Sequence, residues 1–173
     1  MEIERRWVVP INKFIDTVMN NKDAVIYRGM ISTAYFVPAG KNHEDEHIRY
    51  RKAMTDIIAY KMTYKYGTGL SRHEEEYYFK DEEEFDRMTK GMKFIYNSFW
   101  MDKRNDIEIK RVYRNKEDPI TASKKDWIIL EKEFESERDA KLYHLPPIWS
   151  SIAIDVTDNK KYNMLYIYKK FFK

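Results

Sequence analysis

The chain contains no cysteine, and only five glycines and five prolines punctuate its 173 residues. Disulfides, thiolate catalysis and Cys-ligated zinc are therefore excluded together, and the expected compartment is the cytoplasm. No apolar run approaches the roughly 18–20 residues of a bilayer span. The opening MEIERRWVV has no apolar core of a secretory signal, so none is expected. A one-signed charge is also missing: 32 Lys+Arg stand against 29 Asp+Glu, a formal net charge of +3. A nucleic-acid binder working by counterion release usually carries an unbalanced basic face, whereas here the two signs interleave along the same segments. With 14 Tyr, 9 Phe and 4 Trp, the chain is too aromatic to stay disordered. Its length fits a single domain over residues 1–173.

The hydrophobic patterning predicts a mixed, α+β domain. Residues 2–9 alternate as a first strand, and Ile11, Phe14, Ile15, Val18 and Met19 then recur at helical spacing after Pro10. Strand-like runs cover residues 24–37 and 48–51. Residues 57–66 and 70–79 read as a hairpin around Gly67-Thr68-Gly69. The longest helix is expected over residues 81–100, with Phe85, Met88, Met92, Ile95 and Phe99 along one side. Strands follow at 107–114 and 127–134, a capped helix from Ser136 to His144, a strand at 152–157 and a closing helix at 162–172.

Side chains two apart on a strand share a face. Glu2, Glu4 and Arg6 therefore point one way, as do Arg49 with Arg51, Arg72 with Glu74 and Glu76, and Glu131 with Glu133. A solvated face of an ordinary antiparallel sheet also alternates, and accounts for any one of these pairs alone. Repeated carboxylate pairs and Arg pairs are harder to explain that way, because a solvated face mixes Ser, Thr, Lys, Gln and Glu. If the strands close into a barrel, the charges can face inward, where like-charged pairs need counter-ions. Divalent cations on the carboxylates and phosphates on the Arg and Lys residues would supply them.

Taken in order, these segments resemble the CYTH superfamily, the triphosphate tunnel metalloenzymes that include class IV adenylate cyclases and thiamine-triphosphatase-like proteins. Glu2-Ile3-Glu4-Arg5-Arg6 resembles the family's ExExK, with Arg6 in the place of Lys. Ile48-Arg49-Tyr50-Arg51 resembles R-x-R, Thr63-Tyr64-Lys65 resembles T-x-K, and Arg72-His73-Glu74-Glu75-Glu76 resembles R-x-E-x-E. Leu130-Glu131-Lys132-Glu133-Phe134 resembles E-x-E-F, and Asp155-Val156-Thr157-Asp158 with Tyr162 resembles the E-V-T-x-D…Y ending, Asp155 replacing Glu. The K-x-R strand aligns in two registers over residues 110–114, and the acidic motif that usually precedes E-x-E-F is not evident in residues 117–125.

The resemblance implies an eight-stranded antiparallel β-barrel, a tunnel, with flanking helices. It implies hydrolysis of a triphosphate (inorganic tripolyphosphate or a nucleoside triphosphate) with Mg²⁺ or Mn²⁺. The implied metal ligands are Glu2, Glu4 and Asp155, aided by Glu76, Glu131 and Glu133. The implied phosphate holders are Arg6, Arg49, Arg51, Lys65, Arg72 and Arg111, with Lys110 as the other register's choice. Glu2, Glu4, Arg6, Lys65 and Glu133 form the implied catalytic set. A class IV type cyclase and a tunnel that sequesters nucleotide or polyphosphate without turnover are the alternatives. The implied partner is a triphosphate-containing small molecule. No nucleic acid is expected beyond an RNA 5′-triphosphate end, no membrane is expected, and a homodimer is compatible.

His43-Glu44-Asp45-Glu46-His47 satisfies HExxH, but its acidic interior and the strand that follows favour a solvated loop over a zinc-protease helix.

Overall fold

The computed structural model describes residues 3–40, 46–66, 73–114 and 127–172. Nine strands form one antiparallel sheet. They are β1 (Ile3–Pro10), β2 (Val25–Phe36), β3 (Glu46–Met54), β4 (Ile58–Tyr66), β5 (His73–Tyr78), β6 (Ile95–Asp102), β7 (Ile107–Tyr113), β8 (Trp127–Phe134) and β9 (Ile154–Asp155). The helices are α1 (Ile11–Asn20), α2 (Glu82–Met88), α3 (Glu137–Leu142), α4 (Pro147–Ser150) and α5 (Met164–Phe171). The sheet order is β5-β4-β3-β2-β6-β7-β8-β1-β9. The expected α+β fold with an antiparallel sheet is thus present. Eight strands are long, β9 adds a short ninth, and no ladder joins β5 to β9 among the described residues. Residues of β5 and of β1 nevertheless line one cavity, so the sheet is rolled into a trough, a shape compatible with a tunnel.

The two faces of the sheet are packed differently. On the outer face, Trp7, Val9, Ile109, Ile128 and Leu130 bury against Ile11 and Phe14 of α1 and Trp149 of α4. Each such side chain contributes roughly 1.5–3 kcal/mol on leaving water. Beside it, Ala34, Tyr50 and Phe79 pack on Phe85 of α2. The inner face is divided. Val8, Ile129, Val112, Tyr35 and Ile95 are covered by Leu165, Ile167, Tyr168 and neighbouring residues of the C-terminal segment. Much of the rest of the inner face is charged, and these charged positions stay open as the cavity, which residues of α5 also line.

The helix expected over residues 81–100 is corrected. Asp81 caps α2 by accepting the Glu84 N–H at 2.9 Å, and acidic residues fill its first turn as expected. The helix ends at Met88, and Gly91 adopts φ +81°, a left-handed geometry that continues no helix. Ile95–Asp102 then forms β6 between β2 and β7. Ile95 and Phe99 are four apart, so they share a face in a strand as well as in a helix, which is why the spacing misled. The strand expected at 152–157 contracts to β9, and the Gly67–Gly69 turn and residues 117–125 lie outside the described residues. No helix of the described residues is long and apolar enough to cross a membrane.

Candidate functional site: a charged trough

Register determines which side chains meet. Arg6 lies opposite Glu131, and Glu4 opposite Glu133, across β1 and β8. Glu131 lies opposite Glu108 across β7 and β8. On the other wall Arg51 lies opposite Thr33 and Lys61, Arg49 opposite Tyr35 and Thr63, and Lys65 opposite Glu74. All of these except Thr33 and Thr63 line a cavity of about 1060 Å³. That volume is at the upper end of small-molecule sites.

Most cations of the trough already have an anion. Arg6 donates from Nε to Glu131 Oε1 at 2.7 Å and also pairs with Glu4. Lys110 pairs with the other oxygen of Glu131, Lys65 with Glu74, and Lys61 with Glu76 at 2.5 Å. Burial alone would raise the Glu131 pKa, but Lys110 and Arg6 together hold it down to about 2. The Lys61 ammonium likewise lowers Glu76. For Arg6, the charges of Glu131 and Glu4 outweigh the effect of burial and raise its pKa.

Arg49 and Arg51 are different. The Nε–H of each is buried and meets no acceptor among the described residues, and the same holds for the hydroxyls of Thr33 and Thr63 beside them. Arg51 is deeply surrounded by protein while part of its surface stays open to the cavity. Burial, and then the neighbouring Arg49 charge, push its pKa below the ordinary value. A buried donor without a partner costs about 1–3 kcal/mol, and more when charged. Of these four residues only Arg49 and Arg51 line the cavity, side by side on β3, while Thr33 and Thr63 are fully buried. An anion in the cavity would offset the two like charges, and Arg forks match phosphate oxygens.

Of the residues expected from sequence, Glu4, Arg6, Arg49, Arg51, Lys65, Glu76, Lys110, Glu131 and Glu133 line the trough together. Glu2 and Arg72 lie outside the described residues. Two placements are corrected. Arg111 lies opposite Ser98, so it shares the outer face with Ile109, and its guanidinium sits 5.4 Å from the Tyr113 ring centroid. Of the two, Lys110 is therefore the one that lines the cavity. Asp155 lies opposite Trp7 on the outer face, pairs with Arg5 and accepts the Thr157 N–H at 2.9 Å. Burial works against its ionised form, but Thr157 and Arg5 lower its pKa nonetheless.

Glu108, Lys61, Glu74 and Asp158 were not anticipated as site residues, yet they line the trough. Parity alone could have found Glu108, two before Lys110, and Lys61, four before Lys65. Thr33 needs the register of β2 on β3. The HExxH segment puts Glu46 and His47 in β3 rather than in a helix, and His43 and Glu44 lie outside the described residues.

Mg²⁺ and Mn²⁺ prefer hard oxygen ligands and are often held by one or two carboxylates together with substrate phosphates. Glu4 and Glu133 fit that role: they face each other, Glu133 is exposed and the Glu4 side chain is 32% exposed. No group of three acidic or histidine side chains converges among the described residues. Glu4, Glu76 and Glu131 each pair with at least one cation, Glu131 with two, and Asp155 is on the outer face.

No protein-family model matches the chain, and no curated protein matches it. Among solved structures, a conserved hypothetical protein from Pyrococcus furiosus is similar at 21% identity and TM-score 0.51, over 82% of this chain and 84% of that one. A protein from Pyrococcus horikoshii OT3 is similar at 18% identity and TM-score 0.51, over the same shares. At these identities the likeness concerns the fold alone. A Hippeastrum protein whose description gives a dominant triphosphatase activity matches at 11% identity and TM-score 0.48, over 82% of this chain and 83% of that one. That third likeness supports neither fold nor activity here.

Proposed function

We propose that the trough binds a triphosphate, either inorganic tripolyphosphate or a nucleoside triphosphate, and hydrolyses a phosphoanhydride bond of it. One observation carries the reading: the like charges of Arg49 and Arg51 lie side by side along the trough, and burial together with Arg49 pushes the pKa of Arg51 down. A chain of phosphates would neutralise both. Lys61, Lys65, Arg6 and Lys110 line the same trough. They can stabilise charge that grows on the leaving oxygen as the bond breaks.

Glu4 and Glu133 would hold a Mg²⁺ or Mn²⁺ that enters with the phosphates. When bound, such a cation screens charge between phosphate oxygens and lowers the pKa of a bound water. The chain's own part is to fix the phosphate chain against β3 and to present carboxylates from β1 and β8 on the opposite wall.

The test is product release from tripolyphosphate, ATP and GTP with Mg²⁺ or Mn²⁺, comparing the wild type with Glu4→Ala and Arg51→Met. Phosphate release lost in both variants is the expected result. Cyclic nucleotide with pyrophosphate would make the protein a cyclase, binding without product a sequestering tunnel, and neither binding nor product would end the proposal.

A further inference from the structure

Glu131 has the sequence position of a metal ligand and the surroundings of a counter-ion. It is 7% exposed, and both its oxygens are taken, Oε1 by Arg6 and Oε2 by Lys110. Arg6 comes from β1 and Lys110 from β7, and these strands do not touch, because β8 lies between them. Glu131 is therefore the shared anchor of two cations on opposite sides of its own strand. Arg6 and Lys110 are themselves only 8% exposed. Long cationic side chains lose up to about 2 kcal/mol of rotamer freedom when fixed, and buried like charges repel, so both need a reason to stay where they are. The carboxylate supplies it: Arg6 Nε is used on Glu131, and the rest of its fork is turned toward Glu4 and the cavity.

Resting on the polyphosphate reading above, we infer that Glu131 is a positioning residue that aims Arg6 and Lys110 at the bound anion, and is not a ligand of the divalent cation. A metal drawn to Glu131 would have to displace two cations already bonded to it.

The two roles differ in sign. By charge alone, removing a carboxylate from an anion site strengthens anion binding. If Glu131 positions the cations, removing it weakens binding, and does so without metal. Inorganic tripolyphosphate is titrated calorimetrically into the wild type, Glu131→Gln and Glu131→Asp, in EDTA and again with Mg²⁺, with thermal unfolding as a check on folding. Glu131→Asp keeps the charge and its folding role but retracts the carboxylate by one methylene. The expected result is at least tenfold weaker binding for Glu131→Gln and a smaller loss for Glu131→Asp, equal in EDTA and in Mg²⁺. Lys110→Gln, alone and combined with Glu131→Gln, should be non-additive, because the loss at Glu131 runs partly through Lys110.

Variants that bind as well as or better than the wild type in EDTA, and weaken only with Mg²⁺, would make Glu131 a metal ligand and overturn the inference. Wild-type binding that requires Mg²⁺ would overturn it too, since the cations would then not hold the anion unaided. A wild type that binds in neither condition would instead end the polyphosphate reading itself.

Discussion

Arg51 faces Thr33 across the β2–β3 ladder, and each buries a polar hydrogen that meets no partner among the described residues. The next inward position repeats the arrangement with Arg49 and Thr63 across β3 and β4. Of the four residues only the two arginines line the cavity, so it is their paired positive charge that a ligand there can answer.

Stability and binding should therefore move in opposite directions in Arg51→Met. A Met of similar length removes a buried cation beside Arg49 and leaves no unpaired donor, so the ligand-free protein should melt at the same or a higher temperature. Its affinity for tripolyphosphate should fall about 10–100-fold, the loss of one charge-assisted contact. Thermal unfolding with and without tripolyphosphate reads both. A lower melting temperature without ligand would mean that Arg51 is a structural cation.

Thr63→Val tests the buried layer beside the two arginines. Thr63 is fully buried and its hydroxyl has no partner. Valine fits the strand and removes the unsatisfied group, which should stabilise the empty protein by up to about 1 kcal/mol. Tripolyphosphate affinity should stay unchanged, because Thr63 does not line the cavity. Urea denaturation gives the first quantity and calorimetry the second.

Much of the trough was legible because parity is a hard constraint. Arg49 with Arg51, and Glu131 with Glu133, must share a face in any strand, and the inner face is where they are. Parity does not say which face is inner. That is why Arg111 and Lys110 could not be separated until the β6–β7 register placed Arg111 opposite Ser98. Asp155 misled because its neighbours Thr157 and Asp158 do reach the cavity, while its own side chain turns back to Arg5. The helix expected over residues 81–100 stops at Met88, and the left-handed Gly91 that follows separates it from β6.

Trp149 separates folding from function. Its Nε1–H donates to Asp102 Oδ2 at 2.8 Å, and both residues are fully buried. The other Asp102 oxygen accepts the backbone N–H groups of Arg104 and Asn105, closing the β6–β7 turn. Trp149→Phe removes one donor from a buried carboxylate and part of the outer core. It should cost about 2–4 kcal/mol and leave tripolyphosphate affinity unchanged, because α4 lies on the face away from the trough. Altered affinity in a variant that remains folded would show that the two faces are coupled.

Glu131 should dominate the acid limb of the stability curve. Its folded-state pKa of about 2 lies below the roughly 4.3 of an unfolded glutamate, so the folded chain holds its proton less tightly. The stabilisation is fully present above about pH 4.3 and is lost as pH falls toward 2, where the folded carboxylate also protonates and the pairs with Arg6 and Lys110 break. The shift corresponds to on the order of 3 kcal/mol at neutral pH. Denaturant midpoints measured from pH 7 to pH 2 should fall more steeply for the wild type than for Glu131→Gln, and the two curves should converge at the acid end. Parallel curves would mean that Glu131 is protonated or unpaired at neutral pH, which the buried bonds to Arg6 and Lys110 oppose.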